Sequence, residues 1–139
     1  MTSSSFEHLD VYRLAERLSD TIWDVVYGWP SFARATIGRQ IVDAADSISA
    51  NIAEGVGRWY FKDNQRCVRI ARGSLFETRN WLRRAYRRKL LTREQIATLT
   101  PIIEELIPRL NAYLKSIGRA ATIRKPQPPY ESSKDPTAS

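Results

Sequence analysis

Apolar residues recur along this chain at intervals of three and four, and no stretch alternates every second residue, so packed helices are the fold the pattern allows. Val11, Ala15, Leu18, Ile22, Val25 and Trp29 follow a 4-3-4-3-4 spacing, the seam of a bundled helix. "GWP" at 28–30 closes that series, because the residue before a proline is pushed out of helical geometry. Ile37, Ile41, Ala44, Ile48 and Ile52 form a second seam; the glycines at 55 and 57 then predict a turn over 55–62. A third, proline-free series from Lys62 to Lys89 places Val68, Ala71, Leu75, Trp81, Leu82, Ala85 and Tyr86 on one face. Thr92 with Gln95 gives a capping-box signature for a fourth helix. Its seam carries Ile96, Leu99, Ile103, Leu106, Leu110, Tyr113, Leu114 and Ile117.

Pro101 and Pro108 fall inside that last series, one heptad apart. An interior proline removes a backbone hydrogen bond and crowds the preceding turn, at about 3 kcal/mol. The alternative is a break after Thr100, with Pro101 opening a new helix. The seam runs on unbroken across both prolines, which favours one continuous, bent helix. Four helices with short connections and no strand make an all-α, antiparallel up-down-up-down four-helix bundle the expected architecture. The bundle is expected over 6–118, between a flexible leader at 1–5 and a proline- and serine-rich tail at 119–139 that reads as disordered.

Composition narrows the chemistry. The formal charge of +7 and a sequence pI near 9.9 favour an anionic partner, with nucleic acid first among them. One cysteine, Cys67, and one histidine, His8, exclude an internal disulfide and a Cys/His metal cluster, so no metal or other cofactor is expected. The first ten residues lack the basic and apolar regions of a signal peptide, and no apolar run reaches the ~20 residues that span a bilayer. A cytoplasmic protein with no membrane partner is the expectation.

The charge is concentrated in the third helix. Arg58, Lys62, Arg66, Arg69, Arg72, Arg79, Arg83, Arg84, Arg87 and Arg88 lie opposite the apolar seam, and Phe76 points into the middle of the arc they form. Between Arg58 and Arg93 the only acids are Asp63 and Glu77. An ordinary solvated helix face mixes charge signs at i,i+4 spacing, and this one does not. Arginine also outnumbers lysine, and its planar fork suits phosphate. These residues are the candidate nucleic-acid contacts, with Phe76 placed to stack on a base. The competing reading is a protein-interaction module whose arginines meet an acidic partner.

The second helix bears a polar stripe, Gln40, Ser47, Asn51 and Glu54, beside its apolar seam. Catalysis would need paired acids or a nucleophile with a base, and Glu54 has no such companion at helical spacing. The stripe therefore reads as a structural polar layer holding helix register, with Ser74, Glu77 and Thr78 as partners across the interface. No enzymatic activity is expected.

"FEHLDVYRLAERL", "IGRQIVDAADSISANIAEGVGR" and "IARGSLFET" resemble the bacterial four-helix-bundle family encoded by intervening sequences of 23S rRNA genes. The family is related to the accessory variability determinant proteins of diversity-generating retroelements. The resemblance covers roughly residues 6 to 118 and is carried most specifically by "SISANIAEG", "ARGS" and Glu77. It implies a ring-like homopentamer and a non-catalytic association with nucleic acid, RNA ahead of DNA. In the retroelement branch it also implies a reverse transcriptase as partner. This chain departs from the family where basic residues are common, at Val42 and Asp43, and has Ser49 where proline is frequent. Its unusually arginine-rich third helix suggests that nucleic-acid contact has moved there from the second.

Overall fold

The computed structural model describes residues 6–123 of the chain. A short 3-10 turn, Phe6–His8, leads into α1, Asp10–Tyr27. The second helix, α2, spans 31–56 in three parts: one α-turn (Ser31–Ala33), a π-helical turn (Arg34–Gly38) and a regular stretch (Arg39–Val56). The third, α3, is Phe61–Arg87, and the fourth, α4, is Arg93–Ile123. No strand occurs among the described residues. Each helix packs on its neighbour in sequence, and α1 also packs on α4, which closes a four-sided bundle. The leader at 1–5 and the tail from 124 lie outside the described residues; α4 itself continues past 118, the expected boundary, to Ile123.

The core is built from the seams the spacing marks. Ala15, Leu18, Ile41, Ile48, Ile52, Val68, Leu75, Leu106 and Leu110 are fully buried. Each large aliphatic side chain among them contributes roughly 1.5–3 kcal/mol relative to exposure. Five members of the expected seams lie at or beyond the edge of the core, Ile96, Tyr113 and Leu114 of α4 being only partly buried. Trp81 is only partly buried, and its Nε1 donates to Glu77 Oε2 at 3.2 Å. Tyr86 is 58% exposed, because α4 does not close over the last turns of α3.

Two glycines set helix spacing. A Cβ on Gly38 would sit 2.7 Å from Val26 Cγ1 and 3.1 Å from the Ala33 carbonyl oxygen. Gly38 thus lets the π-turn of α2 lie against the end of α1. Gly55 is buried inside α2, and a Cβ there would collide with the Asn64 side chain and approach Cys67 Cβ to 3.1 Å. Its role is close approach of α3. The helix leaves its path two residues later, at the Gly57 cap, and α3 begins at Phe61.

The link between α3 and α4 is closed by main-chain bonds at its first end and by side-chain capping at its second. Leu90 N donates to Ala85 O at 2.9 Å and Lys89 N to Tyr86 O at 3.0 Å, with Lys89 left-handed at φ 62°. This is the Schellman arrangement, with lysine where glycine is usual. The capping box then forms as expected: Gln95 N donates to Thr92 Oγ1 at 3.1 Å, and Thr92 N to Gln95 Oε1 at 2.9 Å. The fourth helix passes through Pro101 and Pro108 without interruption. Both prolines are exposed, as are Ala97 and Glu104 four residues before them, so the carbonyls that lose their partners face water.

Candidate nucleic-acid interface

Tracing α3 from its start, the first basic residues are committed within the protein. Arg58, in the turn before it, pairs with Glu54 at 2.5 Å, which raises the guanidinium pKa further. Arg66 pairs with Asp63 at 3.4 Å. Arg72, half-buried, donates from Nη1 to Asn111 Oδ1 of α4 at 3.0 Å. Arg72 was expected on the open basic face; its bond to α4 makes it a clamp between two helices. Lys62 and Arg69 are exposed.

Beyond Glu77 the pattern changes. Arg79, Arg83, Arg84, Arg87, Arg88, Lys89 and Arg93 follow with no acid between them. All are exposed, and none forms an ion pair with another described residue. The Arg79 guanidinium lies 5.2 Å from the centre of the Phe76 ring, and Phe76 is 44% exposed. Arginine over an aromatic face is held flat by the ring's quadrupole. The result is a strongly positive end of the bundle formed by the last turns of α3 and the first residue of α4.

Where α3 and α4 part at this end, they leave an open groove of about 650 Å³. Leu82, Leu99, Ile103 and Ile107 are among its lining residues, with Arg79 and Arg83 on one wall and Arg93 and Glu104 on the other. Tyr86 stands in the groove. Sequence reasoning placed Tyr86 in the core and so missed it as a surface group. The signal was available in its spacing: Phe76, Arg79, Arg83 and Tyr86 follow at three, four and three residues, one continuous stripe.

The polar stripe of α2 divides. Asn51 Nδ2 donates to Ser47 O at 2.8 Å and to Ser47 Oγ at 3.0 Å, and Ser74 Oγ of α3 donates to Ser47 Oγ at 2.9 Å. The buried Thr78 donates to Ser74 O at 2.8 Å, continuing the chain on α3. Gln40 and Glu54 are exposed and take no part in this network, and Glu77 turns to Trp81 instead. A second bond from α2 to a neighbouring helix, unexpected from spacing, joins the buried Ser19 of α1 to Asp46. Val42 packs half-buried against the core, and Asp43 is exposed beside it.

Burial pushes the Cys67 thiol pKa up, leaving less of the reactive thiolate. Among the described residues no group of three or more His, Cys, Asp or Glu side chains could hold a metal ion. No helix among them is long and apolar enough to cross a membrane.

No curated protein matches the chain. A solved structure from Bacteroides thetaiotaomicron VPI-5482, a protein of unknown function from the S23 ribosomal protein family, superposes with a TM-score of 0.66 at 24% identity. The alignment covers 76% of this chain and 98% of that one, and shows a shared fold. The family model for 23S rRNA-intervening sequence proteins matches residues 7–112, most of the bundle, and the chain belongs to that family.

Proposed function

We propose that this protein is a non-catalytic RNA-associated bundle that binds phosphate backbone through the arginine-rich end of α3. The observation that carries the reading is the run from Arg79 to Arg93: seven basic side chains (79, 83, 84, 87, 88, 89 and 93), all exposed, with no acid interspersed. Such a surface is costly to hold together unless an anion neutralises it. Membership of the 23S rRNA-intervening sequence family favours an RNA context, and the resemblance to the retroelement branch adds the role of an accessory subunit acting with a reverse transcriptase. A homopentameric ring, which the resemblance implies, would repeat the basic end around one axis and multiply the affinity of each copy. Phosphate contacts position a protein without reading sequence, so binding is expected to be broad in sequence preference.

The test is the salt dependence of RNA binding by the purified chain. Each phosphate neutralised on a single strand contributes about 0.7 to the slope of log affinity against log salt, and about 0.9 on duplex DNA. A slope of roughly 2 or more supports the reading. Affinity that stays flat from low to moderate salt refutes it.

A further inference from the structure

The groove between α3 and α4 offers two chemistries side by side, and together they restrict its occupant. Its floor is apolar, formed by Leu82, Leu99, Ile103 and Ile107, while Arg79, Arg83 and Arg93 stand along its walls against the single carboxylate of Glu104. Tyr86 rises from the floor with more than half of its surface exposed. The stripe Phe76, Arg79, Arg83 and Tyr86 runs along one edge of α3 for about 15 Å at ~1.5 Å per residue. All four carry flat groups. Arg79 already lies over the Phe76 ring.

We infer that this groove binds unpaired bases of a single-stranded nucleic acid, with Tyr86 as the stacking surface and Arg79, Arg83 and Arg93 on the flanking phosphates. The inference rests on the proposed anion-binding role of α3 and adds to it the form of nucleic acid and the place where it sits. A duplex turns its phosphates outward and keeps its bases stacked inside, so it could use the arginines but not the floor. A small inorganic anion needs neither the floor nor Tyr86. An acidic helix would need only positive charge and an aliphatic surface. Flat rings and guanidinium planes are what unstacked bases pack on, and stacking tolerates any base because each has a π-face.

The experiment measures fluorescence anisotropy of the full chain with a labelled uridine-rich RNA oligonucleotide, free and annealed to its complement. The single strand is expected to bind about tenfold more tightly than the duplex at equal salt. Tyr86→Ala should weaken single-strand binding by about tenfold, the loss of one base–aromatic stack, and leave duplex binding unchanged. Tyr86→Phe should retain binding, since the ring remains. Tyr86 is exposed, so both variants should keep the parent's helical circular dichroism and melting temperature. Equal affinity for both forms with no effect of Tyr86→Ala overturns the groove assignment and leaves the basic face standing. Failure to bind either form overturns the anion-binding reading itself. Poly-glutamate matching the single strand would assign the groove to an acidic protein. A fall in sedimentation mass on Tyr86→Ala would make it a contact between copies. Either result overturns the inference.

Discussion

The two halves of α3 use the same residue for opposite purposes. In the first half, Arg72 is tied across to Asn111 of α4, Arg66 meets Asp63 and Arg58 in the preceding turn meets Glu54, while Arg69 stays exposed. In the second half, from Arg79 onward, the guanidinium groups face outward and pair with no carboxylate among the described residues. Angular position on the helix does not separate the two sets. What separates them is the neighbour: α4 comes within hydrogen-bonding reach of Arg72, whereas near Tyr86 it stands back and leaves a groove. A basic helix face therefore stays open only along the length where its own protein does not already occupy it.

That division can be broken most severely from its second half. Replacing Arg79, Arg83 and Arg87 together with glutamate should abolish RNA binding while helicity by circular dichroism is unchanged; retained binding would end the distinction between the halves. The next effect belongs to the face of α2 on which the first half packs. Gly55→Leu should destabilise the fold by about 3 kcal/mol, because the α2–α3 contact has no room for a side chain. Chemical denaturation reads this directly, and an unchanged midpoint would show that the helices can separate freely.

Arg72→Ala sharpens the comparison. It should cost about 1–2 kcal/mol through loss of the bond to Asn111 and leave RNA affinity within about twofold, the reverse of the triple variant. The smallest effect lies in the link that follows. Lys89→Gly should stabilise by about 1 kcal/mol, since glycine occupies left-handed φ without a Cβ penalty, and thermal melting reports it.

Much of this bundle was legible in advance because burial along a helix follows a fixed angular rule. Ile41, Ile48, Leu75, Leu106 and Leu110 all lie in the core the spacing marked, and the Thr92–Gln95 box formed because its two bonds are local. The π-turn at Arg34–Gly38 was not legible, since spacing does not tell how closely α2 lies against Val26 and Trp29 across the turn from α1. The same limit explains the site. Tyr86 points along the seam, but whether a seam residue is buried depends on what the next helix covers, and Arg72 looks free until Asn111 arrives from 39 residues away. The polar stripe divided for this reason as well: Ser47 found Ser74 opposite, and Gln40 remained on the surface.

The locked link between α3 and α4 also bears on rates. Two main-chain bonds after Ala85 and two capping bonds at Thr92 leave the five residues 88–92 little freedom. Arg87 and Arg93, on either side of that link, are thus fixed relative to each other before any ligand arrives. A receptor prepared in this way spends little backbone entropy on its own ordering, so the cost of immobilisation falls on the arginine side chains and the incoming strand. Association should then approach the electrostatically steered limit, and variants of the groove should act mainly on how long a complex lasts.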